Sequence, residues 1–234
     1  MKARIDAWGD RGWLVTVDVD SIEAANRRVH ALRAAIEARR PPWLQDLVPA
    51  YASLALVVDG HAARGQAACL AEARAWLERL LASAPDAEAG TLGRRVDIPV
   101  CYAPEFGPDL GAWAAHCGLE VEAAISRHTA GDYRVAMLGF SPGFPYLLGL
   151  DPALAMPRLA TPRPHVAAGS VGVGGSQTGA YPAAGPGGWR LLGRTPLRLF
   201  DPQRAEPALL APGDHVRFVR IDRAGFDALS GAGA

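Results

Sequence analysis

One stretch, from Leu138 to Pro202, limits what this chain can fold into more than any other. It reads LGFSPGFPYLLGLDP, then PRLATPRPHVAAGSVGVGGSQTGAYPAAGPGGW, and closes on LLGRTPLRLFDP. Glycine supplies positive φ and close backbone approach, whereas proline fixes φ and removes a donor, so a run rich in both cannot build long regular elements. The same composition also marks unfolded linkers. Here it is interleaved with Phe140, Phe144, Tyr146, Val171, Tyr181, Trp189, Leu192 and Phe200, apolar groups that a folded segment can bury. Rigid loops joining short strands are the expected result.

Upstream the pattern is different. Gly12 to Val19 alternates like a strand, and Ser21 then offers an N-cap to a helix whose stripe is Ile22, Ala25, Val29, Leu32 and Ile36, ending before Pro41 and Pro42. Gln45 to Val48 and Ser53 to Val58 read as strands, Ala62 to Ala82 as a second helix, and Val96 to Val100 as a further strand. That order is the one found in a ferredoxin-like, split βαβ unit. A small, polar run from Asp86 to Gly93 places a boundary near residue 90, which predicts domains 1–90 and 91–234.

In the second domain, Pro108 to Cys117 and Glu120 to His128 read as short helices and Tyr133 to Leu138 as a strand. Further strands are expected at Val166 to Val173, Trp189 to Leu192, Leu197 to Phe200 and His215 to Ile221, a spacing that suggests a small barrel. The final GAGA is expected to fray. The predicted class is α+β.

Composition removes several functions. The 24 basic and 24 acidic residues cancel, so no basic field announces a nucleic acid. Lys2 is the only lysine, which leaves none inside the chain for a phosphate-loop lysine or a Schiff base. Cys69, Cys101 and Cys117 have neither disulfide-framework nor zinc spacing, and they are expected to be reduced thiols in the cytoplasm. The N-terminus lacks the apolar core of a signal peptide, and no apolar run approaches the roughly 20 residues that cross a bilayer.

GSVGVGGSQTG, from Gly169 to Gly179, invites comparison with an anion-binding nest. The lysine of a phosphate loop is missing, and no periodic helix follows as a dinucleotide fingerprint requires. Structural turns or a polar, ligand-facing loop remain; Ser170, Ser176, Gln177 and Thr178 favour the loop, whose hydrogen-bonding groups suit an amide or carboxylate. His165, between Arg163 and the Gly169-Ser170 turn, is the candidate general acid or base. The other histidines read as structural or solvated, His128 as a helix-terminal residue. Ser141 is followed by Pro142, which blocks a nucleophile elbow, and Cys101 reads as a small buried hydrophobe. Arg194 and Arg198 suit a carboxylate or a partner's acidic group, or are exposed strand residues. Phe140, Phe144, Tyr146 and Trp189 form either core or an exposed patch, an alternative the sequence leaves open.

GFSPGFPYLLGLDP, the PR pairs at Arg158 and Arg163, AGSVGVGGSQTGAYP, PGGW, GRTPLRLFDP and PGDHVRF together resemble the B-subunit family of bacterial ATP-dependent 5-oxoprolinase. That family is also labelled PxpB, KipI or allophanate hydrolase subunit 1, and it resembles part of the carboxyltransferase region of urea carboxylases. GDRGWLV, VPAYASL, IPVCY and EFGPDL extend the likeness over essentially the whole chain, with departures at Ala103, Ala167 and Gly185. The resemblance implies a small N-terminal α/β domain followed by a cyclophilin-like β-barrel. It also implies a C-type (KipA or PxpC-like) and an A-type (PxpA-like) partner, with ATP as co-substrate of the complex and 5-oxoproline as substrate; no metal or organic cofactor is expected in this chain.

Opening a lactam through a phosphorylated imidate needs donors to oxygen and a holder for a carboxylate. On that basis Ser170, Gln177 and Thr178 are expected to hydrogen-bond, Arg163 or Arg194 to neutralise an anion, and His165 to transfer a proton. Alone, the chain is expected to be a poor ATPase. Two further readings are a KipI-type inhibitor of a sensor histidine kinase and a component of a urea or allophanate pathway enzyme.

Overall fold

In the computed structural model, which describes residues 3–59, 65–83 and 93–232, the chain divides into two units, Met1–Leu92 and Gly93–Ala234. Each has its own buried apolar core.

The first unit comprises β1 (Ala3–Trp8), β2 (Gly12–Val17), α1 (Ile22–Glu37), β3 (Leu44–Pro49), β4 (Ser53–Val58) and α2 (Gln66–Ser83). Ser21 caps α1 as expected, its hydroxyl accepting from the Ala24 N–H at 3.2 Å. The helix buries Ala25, Val29, Leu32 and Ile36, the stripe that the three-and-four spacing marks. The sheet order is β1-β2-β4-β3 with every neighbour antiparallel. β2 and β3 are therefore parallel with β4 between them, and α1 is the crossover of a split βαβ.

The strand that completes this sheet is β1, and Val96–Val100 lies elsewhere. β1 is a strand not expected above: Ala3, Ile5 and Ala7 alternate with Arg4 and Asp6 over only six residues, none of them fully buried. Its ladder to β2, from Ala3↔Val17 to Trp8↔Gly12, makes it a strand. The expected start of the second helix at Ala62 and most of the expected linker lie outside the described residues.

The second unit runs β5 (Arg95–Cys101), α3 (Leu110–His116), α4 (Val121–Ala130), β6 (Tyr133–Leu138), β7 (Pro145–Leu148), β8 (Arg163–Val166), β9 (Ser170–Gly174), β10 (Gln177–Ala180), β11 (Gly185–Gly187), β12 (Arg190–Arg194), β13 (His215–Ile221) and α5 (Arg223–Ala232). Seven strands close a barrel in the order β10-β7-β6-β13-β5-β12-β9, while β8 and β11 form a separate two-stranded ribbon. β5, which contains Val96–Val100, pairs in parallel with β13 along its whole length. Ile98, Val100, Tyr133, Val135, Leu147, Val171, Val173 and Phe218 are among the side chains that fill the barrel. The α+β class, a small α/β unit followed by a β-barrel, is thus what the structure shows.

Three local expectations change. Val166–Val173 is two strands, because the chain turns through Gly169 at φ +81°. Leu197–Phe200 is irregular, with a single bridge from Phe200 to Ala208. Of the final four residues, Gly231 and Ala232 belong to α5, and the last two lie outside the described residues. No helix among the described residues is long and apolar enough to cross a membrane.

Candidate functional site

The glycine-rich run is a β-hairpin. Gly174 pairs with Gln177, leaving Gly175-Ser176 as a two-residue turn. Gly175 has φ +70° and Ser176 does not share that sign, which is the type II′ turn that matches strand twist. Alternation then sorts the side chains: Val171, Val173, Thr178 and Ala180 face the barrel interior, and Gly172, Gly174 and Gly179 face outward.

On that bare outer floor lies Trp189. A Cβ at Gly174 would stand 2.5 Å from Trp189 Nε1, and one at Gly179 would stand 3.2 Å from Trp189 Cζ3. The indole is 4% exposed and belongs to a second apolar cluster with Phe144, Val166, Tyr181 and Leu191. Phe144 meets it edge-on at 5.3 Å, and Tyr181 at 6.4 Å.

Phe140, 67% exposed, leans over Phe144 at 5.5 Å and Tyr181 at 6.4 Å. It is the sole non-glycine with positive φ among the described residues, at +66°. The Ser141 N–H donates to the Gly139 carbonyl at 2.7 Å, so Phe140 is the centre of a γ-turn of the rare, strained hand. Such strain clusters at functional sites.

These rings border a cleft of about 290 Å³, completed by Arg158. All its lining residues but Leu159 come from the strings that carry the family resemblance. The Arg158 guanidinium sits 5.7 Å over the Trp189 ring and makes no ion pair among the described residues. Arg163, by contrast, is committed: it donates to Asp109 Oδ1 at 2.8 Å and to the Trp189 carbonyl at 3.4 Å. Asp109 Oδ2 accepts from the Leu191 N–H at 2.7 Å, so this pair fixes the backbone on both sides of Arg190. Burial raises the Tyr181 phenol above its ordinary range, while the Trp189 backbone N–H, Arg158 and Arg163 pull the other way. Tyr181 is a neutral phenol at neutral pH. Aromatic walls, one cation and a phenolic donor can hold a small flat ring that carries an anionic group.

The six residues that the sequence nominates do not meet in one pocket. His165 is exposed on β8, on the same face as Arg163. Ser170 is buried at the start of β9, opposite Arg194 on β12. Arg194 donates to the Ala168 carbonyl at 2.7 Å and lies near the Phe106 and Phe226 rings, on a second groove with Arg198 and Arg204. Gln177 is about four residues along the hairpin from Ser170, roughly 13 Å at strand rise. Thr178 has no exposed surface, and its neighbour Gln177 points to the opposite face. Arg158 and Tyr181, which line the cleft, are not among the six. The PRLATPR and AYP strings are the signal that could have found them.

Thr178 instead closes a hydrogen-bond chain inside the barrel. Its hydroxyl donates to the Gly172 carbonyl at 3.0 Å and must accept from His128 Nε2–H at 2.9 Å, so Nδ1 is left to accept from the Tyr102 hydroxyl at 2.8 Å. His128 is therefore a core residue, neither solvated nor capping, stacked on Phe218 at 4.8 Å. Burial lowers its pKa to about 3. Among the described residues, no group of three or more His, Cys, Asp or Glu could hold a metal ion.

The family model of the carboxyltransferase domain, subdomain C and D, matches residues 3–210. The 5-oxoprolinase B subunit of Bacillus subtilis (strain 168) is 42% identical over 234 residues, 97% of this chain and 97% of that protein. The protein of the same name from Escherichia coli O157:H7 is 57% identical over 126 residues, 54% of this chain and 58% of that protein. Among solved structures, TTHA0988 superposes with a TM-score of 0.75 at 43% identity over 91% of this chain; the match spans 40% of TTHA0988.

Proposed function

The chain belongs to the family of 5-oxoprolinase B subunits, and from that premise we propose that it is the B subunit of an ATP-dependent 5-oxoprolinase acting with A- and C-type subunits. The observation that carries this reading is the convergence of the family's strings on one cleft, alongside similarity over nearly all of a relative with that name. That name favours the enzyme over a kinase inhibitor. The overall reaction takes 5-oxo-L-proline, ATP and two waters to L-glutamate, ADP and phosphate.

The lactam oxygen attacks the γ-phosphorus of ATP and ADP leaves. Water adds to the activated ring carbon, the C–N bond breaks with the nitrogen taking a proton, and a γ-glutamyl phosphate results. A second water releases phosphate. With no lysine beyond Lys2, the nucleotide is assigned to a partner polypeptide, and the cleft is this chain's share of the substrate site. His165, exposed on β8, and Arg194 are retained as candidates for proton transfer and anion contact with groups that a partner supplies. The three free cysteines suit a reducing cytoplasm.

Coexpression with A- and C-type subunits tests the reading. ATP-dependent glutamate release from 5-oxo-L-proline is expected only when all three are present, with one ADP per glutamate. No release from the full set, or full release without this chain, sinks it.

A further inference from the structure

Building on the 5-oxoprolinase reading, we infer that Arg158 is the specificity residue of the cleft, pairing with the carboxylate of a five-membered cyclic amide. In this arrangement the ring lies against Trp189 and Phe144, and the Tyr181 hydroxyl donates to the lactam carbonyl.

The first support is the inventory of charge. Arg163 is held by Asp109 at 2.8 Å, which leaves Arg158 as the uncommitted cation of the lining among the described residues. The Arg158 guanidinium, 5.7 Å over the Trp189 ring, carries N–H donors that match a carboxylate two at a time.

The second is what the lining lacks. Among the described residues it contains no acidic side chain, so none of them compensates an ammonium group. A lactam has a neutral nitrogen and enters without penalty. The ring-opened amino acid brings a charged amine beside Arg158, and the same surface that binds substrate rejects product.

The third is size and shape. At about 290 Å³ the cleft lies at the small end of ligand sites, which run from about 300 Å³ upward. Its walls are largely aromatic and proline side chains suited to one flat ring, and they include two phenols, Tyr146 and Tyr181; the Tyr181 hydroxyl, met by the Trp189 backbone N–H, keeps its own proton to donate.

The test uses the reconstituted complex, with 5-oxo-L-proline as substrate and 2-pyrrolidinone, the same ring without a carboxylate, as a competitive probe. Loss of a charge-assisted pair is worth about 1.5–3 kcal/mol, so Arg158→Ala is expected to raise KM roughly 10- to 100-fold. Inhibition by 2-pyrrolidinone is expected to stay within about twofold, because that ring never used the guanidinium. Arg158→Lys should recover part of the loss. Tyr181→Phe should lower kcat more than it raises KM, since its donor faces an oxygen that gains charge during reaction.

Arg158 is exposed, so the melting temperature of Arg158→Ala should match wild type. An unchanged KM, or equal weakening of 5-oxoproline and 2-pyrrolidinone, overturns the assignment while a working wild-type complex keeps the enzyme reading intact. A wild-type complex inert toward 5-oxoproline removes both.

Discussion

A Cβ placed on Gly174 would stand 2.5 Å from Trp189 Nε1, so the indole holds its position only because residue 174 has no side chain. Trp189 in turn supplies the face under Arg158 and the edge-on partner of Phe144. Three outward glycines of the hairpin thus make room for the indole that lines the cleft.

Gly174→Ala should displace the indole. Overpacking of this kind costs about 1–3 kcal/mol. The expected outcome is a lower denaturant midpoint together with a red shift of tryptophan emission. An unchanged midpoint and spectrum would show that the strand yields and the ring does not.

Phe140→Gly separates strain from contact. A non-glycine residue in the left-handed region costs about 1–2 kcal/mol, and the lost side chain is two-thirds exposed. The variant should melt no lower than wild type while the reconstituted complex loses kcat/KM. Phe140→Ala, which keeps the strained backbone, should lose activity without the stability gain.

Asp109 ties Arg163 to the Leu191 N–H. Asp109→Ala strands a partly buried guanidinium and a buried backbone donor, at a cost of about 2–3 kcal/mol once the exposure of Arg163 is discounted. In denaturant melts, Asp109→Ala with Arg163→Ala should cost less than the sum of the two single changes. Strict additivity would mean the pair is not coupled.

His128 sets an acid limit on stability. Its folded pKa, about 3, lies below the ordinary value near 6.5, so the unfolded chain binds the extra proton first. The stabilisation is complete above about pH 6.5 and falls as pH drops toward 3, by roughly 4–5 kcal/mol in total. His128→Gln should be less stable at pH 7, because the Tyr102 and Thr178 bonds are disturbed, yet lose less on acidification. Parallel acid limbs for the two proteins would rule the histidine out as the cause.

How much is legible in the sequence differs by element. The stripe of α1 and its Ser21 cap need only neighbours within one helical turn, and the structure contains both. The stripe of α4 is legible in part. Its spacing puts Ala124 and Ile125 on the apolar side, and His128, four and three positions later, continues the same face. Residue type argues for solvent; position argues for the core. Position prevails because Tyr102 and Thr178, from distant segments, satisfy both ring nitrogens.

By itself the sequence determined the two helices of the first unit, the change to a strand-and-turn second half, and membership of a family, because periodicity, caps and motif strings are local properties. Only tertiary structure decided that β1 joins the first sheet and β5 the barrel, that the glycine run is a hairpin supporting Trp189, and that Arg163 is ion-paired while Arg158, among the described residues, is not. Those outcomes depend on which backbone edges and which charged groups from far along the chain arrive at the same place, and pairing across such separations leaves no period in the sequence.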